Sequence, residues 1–177
     1  RHLRDHIVTF PQPAQLRPVH YNCWEAIYFD HDIPVLQDIA NQAKALGAER
    51  FVLDDGWFGQ RDDDTRSLGD WQIDCRKYPD GLGPIVDHVT ALDMQFGLWF
   101  EPEMVNPDSA LYRAHPDWAL GPADQLLGRQ QMVLNMALPQ VRDYLFDTIG
   151  ALLRDYDISY IKWDHNRALP ISDAAQT

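Results

Sequence analysis

The stretch HYNCWEAIYFDHDIPVLQDIANQAKALGAERFVLDDGWF, residues 20–58, predicts a strand, a helix and a second strand in succession. The two strands are expected over residues 20–29 and 50–58, which are mostly apolar and rich in aromatic side chains. The helix is expected over residues 32–48 and ends near Gly47, because apolar side chains recur on one helical face at Val35, Leu36, Ile39, Ala43 and Leu46. This order favours parallel strands that are joined by a crossover helix.

The same alternation continues along the rest of the chain. We expect a helix over 83–93, a strand over 94–105, a brief strand over 132–137, the longest helix over 138–157 and a last strand over 158–166. Alternating strands and helices indicate an α/β fold class. The polar loop over residues 59–81 is too long for a simple connection, and it is therefore either functional or disordered.

The composition excludes several classes of protein. The 177 residues can form one substantial core, and a net charge of -12 argues against nucleic acid or an anionic membrane as a partner. Neutral, hydroxyl-rich ligands stay possible. Cys23 and Cys75, the only cysteines, are expected to be reduced thiols. Residues 1–10 lack the apolar region of a signal peptide, and no apolar run approaches about 20 residues. These features predict a cytoplasmic protein.

Polar side chains follow the predicted strands, and their placement favours a barrel over an open sheet. The carboxyl ends of all strands in a (β/α)8 barrel meet at one mouth, whereas an open sheet brings together only those at its switch point. A full barrel needs about 250 residues, so the chain is predicted to be roughly the first half of a (β/α)8 TIM barrel. Residues 1–18 are expected to lead into the barrel as a linker, and residues 19–177 to form its N-terminal part. The side chains in question are Trp24, Glu25, Asp54, Asp55, Glu101, Glu103 and Asp164.

The last predicted strand ends in YIKWDHNR, residues 160–167. Because side chains two apart in a strand share a face, Lys162 and Asp164 project together. The ammonium group is expected to lower the pKa of the Asp164 carboxyl. An ionised carboxylate at a barrel mouth suits a nucleophile or a group that stabilises a developing cation, although an ordinary ion pair is the alternative.

The segment VLDDGW raises a second possibility. Asp54 and Asp55 point to opposite faces unless Gly56 lets the backbone turn so that both reach the mouth. Carboxylates of this kind bind sugar hydroxyls well, but metal ligation and simple turn roles stay open. Tryptophans near the strand ends could stack on a sugar ring or pack the core, and they are Trp24, Trp57 and Trp99.

Seven motifs together resemble the retaining α-galactosidases of glycoside hydrolase family 36. They are YNCWEAIYF, FVLDDGWFGQRDDD, LGDW, FGLWFEPEMVNPDS, HPDW, GRQQMVLN and YIKWDHNR, and they span about residues 17–167 in the family's order. The resemblance implies hydrolysis of terminal α-D-galactosides such as melibiose- and raffinose-type sugars. It further implies no cofactor, no metal, and a homo-oligomeric full-length enzyme.

The resemblance also implies roles for particular residues. Asp164 resembles the catalytic nucleophile, and Asp54 and Asp55 resemble the pair that binds the 4- and 6-hydroxyls of galactose. Further positions that resemble substrate-binding residues are Trp24, Trp99, Arg129, Lys162 and Asn166. Glu101 and Glu103 are read as structural.

The family's acid/base is an aspartate from a later strand, and Asp173 follows Asp164 too closely to be that residue. The resemblance therefore implies that the acid/base lies outside this chain, and that the chain alone is inactive and tends to associate through its open sheet edges. Three alternatives stay open: a galactosyl transferase of the raffinose or stachyose synthase type, an α-N-acetylgalactosaminidase, and a non-catalytic galactoside-binding module.

Overall fold

A computed structural model of the chain describes residues 6–7 and 16–167. Most of the predicted linker over 1–18 and the segment after Arg167, including Asp173, therefore lie outside the described residues. The strands are β1 (His20–Asn22), β2 (Arg50–Leu53), β3 (Gln95–Phe100), β4 (Met104–Val105), β5 (Met132–Val133) and β6 (Tyr160–Trp163). The helices are α1 (Trp24–Ile27), α2 (Ile33–Ala45), α3 (Gly83–Ala91), α4 (Ala110–Ala114) and α5 (Pro139–Asp155), with a 3-10 turn at Pro116–Trp118.

Four parallel strands form the main sheet in the order β1-β2-β3-β6. The register places Phe51 beside Tyr21 and Phe96, and Trp99 beside Lys162. The four strands lie side by side in the order in which they occur along the chain, without the reversal of order that a doubly wound sheet has at its switch point. The α/β class and the partial (β/α)8 barrel are therefore confirmed.

The observed strands are shorter than predicted, and in two of them the chain turns out of the sheet directly after the last paired residue. The strand expected over 20–29 ends at Asn22, whose side-chain carbonyl accepts the backbone N–H of Trp24 at 2.8 Å and starts helix α1. The strand expected over 50–58 ends at Leu53, and the chain then turns through Gly56, which has φ +112. The polar residues at both ends thus leave the sheet instead of extending it.

The brief strand expected over 132–137 is not a barrel strand. Only Met132 and Val133 pair, and they pair antiparallel to β4 in a separate two-stranded sheet. Barrel strands run parallel within one sheet, and this pair is antiparallel and separate from it. This small sheet covers the carboxyl end of β3 and connects to the turn that carries Arg129.

The two long outer helices pack on the sheet through narrow apolar faces. In α2 the buried residues are Leu36, Ala40 and Ala43, and the helix begins where the Asp32 carboxylate accepts the N–H of Val35 at 3.1 Å. Val35 and Leu46 are exposed, so the predicted apolar face is wrong at these two positions. Helix α5 buries Val141, Leu145, Ile149 and Leu152.

The loop over 59–81 is ordered and supplies part of the core. Trp71 packs on Phe58 with ring centroids 4.6 Å apart and on Phe100 at 5.4 Å. Lys77 donates hydrogen bonds to the carbonyl oxygens of Phe29, Gly56 and Arg61 at 2.7–3.0 Å. The loop is therefore pinned over the carboxyl end of β2, as a functional loop would be.

The outer side of β6 and helix α5 leave an apolar groove of about 280 Å³ open. Trp163, Phe146 and Leu153 line it and are 52%, 76% and 40% exposed. Strands β1 and β6 also form the two edges of the sheet. This is the exposed surface that the prediction of association rests on. Within residues 6–7 and 16–167, no helix has the length and apolar character needed to cross a membrane.

Candidate active site

Three charged side chains meet at the carboxyl end of the sheet. Lys162, in β6, places its Nζ 2.7 Å from Oδ2 of Asp54 and 3.9 Å from Oδ2 of Asp164. Asp54 follows β2 and is only 3% exposed, whereas the Asp164 side chain is 27% exposed. The sequence predicted that Lys162 and Asp164 share a face, but the closer partner of the ammonium group is Asp54. Lys162 thus bridges two carboxylates from different strands.

The Asp164 carboxylate accepts two hydrogen bonds. The indole Nε1 of Trp99 donates to Oδ2 at 2.9 Å and the backbone N–H of His165 donates to Oδ1 at 2.9 Å, and the nearby Asn166 side chain also favours the charged form. Burial alone would raise the pKa of Asp164, but these hydrogen bonds together with the Lys162 charge lower it below its ordinary value. The predicted direction is therefore confirmed, and the hydrogen bonds contribute more to it than the lysine.

Asn22 is a member of this cluster that the sequence reasoning missed. Its Nδ2 donates to Oδ2 of Asp54 at 2.5 Å, while its Oδ1 accepts the backbone N–H of Trp24. One amide therefore fixes both the Asp54 carboxylate and the start of helix α1. An asparagine as the last residue of a strand was the available signal, because a polar side chain at that end faces the barrel mouth.

The tryptophans divide between the site and the core. Trp24 is half-buried and lines an open cleft of about 410 Å³ together with Asn22 and Lys162. Trp99 is 2% exposed and stacks on Phe58 at 6.1 Å, so only its indole edge reaches Asp164. Trp57 is fully buried. The core interpretation thus holds for Trp57, while Trp99 joins the core to the site.

Asp55 makes a separate set of contacts, with Arg61. Nε and Nη2 of Arg61 donate to its two carboxylate oxygens at 2.9 and 2.8 Å, and Arg61 is only 1% exposed. Of the two alternatives, the chain turns here at Gly56, which has a positive φ, and a Cβ at Gly56 would lie 2.9 Å from the His31 ring. The structure thus brings Asp54 to Lys162 and brings Asp55 to Arg61. Each Asp55 oxygen still has a lone pair for a further hydrogen bond.

Asn166 connects the site to Glu101. Its backbone N–H donates to Oε1 of Glu101 at 2.5 Å, and its side chain favours the charged forms of the Glu101 and Asp164 carboxylates nearby. Glu101 is 1% exposed, and burial raises its pKa. Glu103 accepts hydrogen bonds from His165 and Trp163 at 2.8 and 3.3 Å. Both glutamates thus hold the segment around Asp164, in keeping with the structural role predicted for them.

Arg129 lies at the tip of a tight turn. Arg129 and Gln130 have φ values of 52 and 62, and the N–H of Gln131 donates to the carbonyl oxygen of Gly128 at 3.0 Å. The Arg129 side chain is exposed. Gln131 donates to Glu101 at 3.1 Å, so the base of the turn contacts the network around Asn166. Among the described residues, no three His, Cys, Asp or Glu side chains are grouped so that they could hold a metal ion.

His31 is buried beneath the Asp55 segment and should make stability depend on pH. Its ring nitrogens contact the Tyr78 hydroxyl at 2.5 Å and the Asp55 carbonyl oxygen at 2.9 Å, and burial, helped by the charge of Lys77, lowers its pKa to about 4. The fold therefore favours the neutral ring. Stability is full above the unfolded-state pKa of about 6.5 and falls by roughly 3 kcal/mol as the pH drops from 6.5 towards 4.

The check is thermal unfolding of a full-length protein that contains this chain, followed by tryptophan fluorescence between pH 7.5 and 4.5. A His31→Gln variant keeps a donor and an acceptor but cannot titrate, so its midpoint should fall less steeply with acid than that of the parent. Parallel curves for the two proteins would contradict the expectation.

Comparisons with known proteins agree with this geometry. The sequence profile of the Melibiase family matches residues 1–176. An α-galactosidase of Escherichia coli is 51% identical over 171 residues, which are 96% of this chain and 24% of that protein. The crystal structure of the α-galactosidase from Lactobacillus brevis is 50% identical with a TM-score of 0.85, over 93% of this chain and 23% of that one.

A variant of the family 36 α-galactosidase AgaA from Geobacillus stearothermophilus, crystallised in complex with raffinose, is 44% identical with a TM-score of 0.89, over 98% of this chain and 25% of that one. The chain thus spans about a quarter of the length of these relatives. The match over nearly the whole chain shows that it belongs to the Melibiase family, the α-galactosidases of glycoside hydrolase family 36.

Proposed function

We propose that this chain supplies the nucleophile and most of the galactose-binding residues of an enzyme that hydrolyses terminal non-reducing α-D-galactosides. The observation that carries the proposal is the Asp164 carboxylate. It is partly exposed at the mouth of the barrel, kept ionised by Trp99, Asn166 and a backbone N–H, and joined through Lys162 to the buried Asp54. The relatives of this chain in the family are named α-galactosidases, and one of them was crystallised with raffinose.

The proposed mechanism is a retaining double displacement. Asp164 attacks the anomeric carbon of the galactoside while an acid protonates the departing oxygen, and water then releases galactose from the covalent intermediate. Asp164 suits this role because a lowered pKa keeps it charged at neutral pH, and its exposed oxygen can reach a bound sugar. The acid/base is proposed to come from a strand that this chain does not contain.

Around the nucleophile, the other residues are proposed to bind the sugar. Asp54, with Lys162 beside it, accepts hydroxyl hydrogen bonds on one side, and Asp55, held by Arg61, adds a second acceptor. Trp24 lines the open cleft, and the indole edge of Trp99 faces the reacting carbon. Asn166 lies beside Asp164 and helps to orient it, while Arg129 reaches the substrate from its loop.

The proposed substrates are α-galactoside oligosaccharides of the melibiose and raffinose type. A homo-oligomeric, cytoplasmic full-length enzyme is part of the same proposal, and the free thiols of Cys23 and Cys75 are consistent with it. A binding module without catalysis is disfavoured, because the groups that keep Asp164 ionised would serve no purpose in a protein that only holds a neutral sugar.

The test is the stereochemistry of the first product. A full-length enzyme that contains this chain is mixed with p-nitrophenyl α-D-galactoside, and proton NMR follows the anomeric signals before mutarotation. We expect α-galactose to appear first. Initial release of β-galactose would contradict the double displacement, and binding without turnover would favour the module. Transfer of galactose to added sucrose in preference to water would favour the transferase. The chain of 177 residues by itself is expected to give no turnover.

A further inference from the structure

Asn106 is a buried amide that the proposed mechanism does not use. It follows β4 and is fully buried, and all four of its hydrogen-bonding positions are filled. Oδ1 accepts from Nη1 of Arg61 at 2.9 Å and from the N–H of Leu68 at 2.8 Å. Nδ2 donates to the carbonyl oxygens of Asp64 at 3.2 Å and Gln130 at 2.8 Å. The partners fix the orientation of the amide, because two can only donate and two can only accept.

The Gln130 contact places Asn106 directly behind the turn that carries Arg129. Both central residues of this turn have φ values between 50 and 65, as in a type I′ turn, where glycine and asparagine are usually found. Arginine and glutamine adopt this conformation only where the surroundings enforce it. Asn106 enforces it from one side, and Arg167, which donates to the carbonyl oxygen of Gln131, does so from the other.

Arg61 extends the same connection to Asp55. Its Nε and Nη2 hold the Asp55 carboxylate, while its Nη1 donates to Asn106 and to the carbonyl oxygen of Arg66 at 2.8 Å. All of these contacts lie out of solvent or nearly so, since Arg61 and Asn106 are 1% and 0% exposed. A continuous set of hydrogen bonds therefore runs from Asp55 through Arg61 and Asn106 to Gln130.

We propose that Asn106 is a positioning residue for Arg129, and that Asn106 and Arg61 hold the Arg129 turn and the Asp55 carboxylate in one fixed relation. This inference deepens the proposed function, on which it rests for the assignment of Arg129 to the substrate. The pocket would then bind its sugar with two groups from distant segments whose separation is set by the buried Asn106 amide and the Arg61 side chain.

Asn106→Asp tests the proposal selectively in a full-length enzyme that contains this chain. The aspartate keeps an acceptor for Arg61 and Leu68, but it cannot donate to Gln130 or Asp64. The matched control is Asn135→Asp, which makes the same change at a half-buried asparagine whose side-chain oxygen still accepts the N–H of Ala137. The two variants add the same charge, and only the first releases the turn.

We expect amide hydrogen exchange over residues 128–131 to become faster in Asn106→Asp and to stay unchanged in Asn135→Asp. On raffinose, Asn106→Asp should raise KM by about tenfold, the effect of one lost hydrogen bond, with kcat changed by less than about threefold. The double variant Asn106→Asp with Arg129→Ala should have the KM of Arg129→Ala alone, because Asn106 acts through Arg129.

Two outcomes would overturn the proposal: unchanged exchange over 128–131 in Asn106→Asp, or effects of the two substitutions on KM that multiply. A third outcome separates the proposal from the proposed function. If exchange over the turn becomes faster but Arg129→Ala leaves KM unchanged, the positioning of the turn by Asn106 stands and the assignment of Arg129 to the substrate is wrong.

Discussion

Replacement of Asp164 by alanine is expected to lower kcat on raffinose by on the order of 10⁴-fold or more in a full-length enzyme that contains this chain. The reason is that no other carboxylate can take its place. Asp54 is nearly buried and bonded to Lys162 and Asn22, and Glu101 is buried beneath Asn166. The dissociation constant for raffinose should change by less than about tenfold, because the residues proposed to bind the hydroxyls are still present.

Sodium azide provides a second measurement on the same variant. The small anion fits the space that the carboxylate leaves, attacks the anomeric carbon from the same side, and cannot be displaced later by water. We expect it to restore turnover and to yield β-galactosyl azide. The matched control is Asp157→Ala at an exposed position just before β6, which should keep full activity. Hydrolysis by Asp164→Ala at the parent rate would show that Asp164 is not the nucleophile.

Replacement of Asp54 by alanine is expected to lower kcat/KM by about 10³-fold. Two effects add up here. The sugar loses a charged hydrogen-bond acceptor, and the Lys162 ammonium loses the partner 2.7 Å away, so it shifts towards Asp164, which it now faces at 3.9 Å. A closer ion pair with Lys162 would make Asp164 a weaker nucleophile. The Asp38→Ala variant, which removes an exposed carboxylate on α2, is the control and should behave as the parent.

Relative rates on substrate analogues identify the hydroxyl that Asp54 binds. Full-length enzyme and variant are compared on p-nitrophenyl α-D-galactoside, on its 6-deoxy analogue and on the 4-epimeric glucoside. A site that hydrogen-bonds a hydroxyl discriminates strongly against a sugar that lacks it or presents it differently. The preference for galactoside should therefore shrink in Asp54→Ala against at least one analogue. If both ratios keep their parent values, Asp54 does not contact the sugar.

Local sequence patterns were sufficient for the order of the elements and the parallel sheet. Apolar runs and helical spacing placed the starts of β2, β3 and β6 and both ends of the long helices within a few residues, because these segments bury one face against a common core. The ends of the strands were less predictable. Asn22 stops β1 through one side-chain hydrogen bond to Trp24, and nothing in the periodicity of the sequence signals such a bond.

The site was predictable where it follows from strand geometry and not where it depends on distant contacts. Lys162 and Asp164 were expected to share a face, and they do, because that relation is set by two residues of one strand. The partners from other segments were not foreseen: Asp54 for Lys162, Trp99 for Asp164 and Arg61 for Asp55. The second of these pairs is 65 residues apart in the chain, and only the folded sheet brings it together.

Trp99 connects the buried aromatic cluster to the Asp164 carboxylate. One face of its ring lies against Phe58, Trp71 packs at an angle to it, and its edge donates to the carboxylate of Asp164. A substitution in the aromatic cluster that tilts the indole would therefore lengthen its hydrogen bond to Asp164. If Asp164 is the nucleophile, as proposed, selection for turnover extends to these buried aromatic positions as well as to the proposed sugar-binding residues.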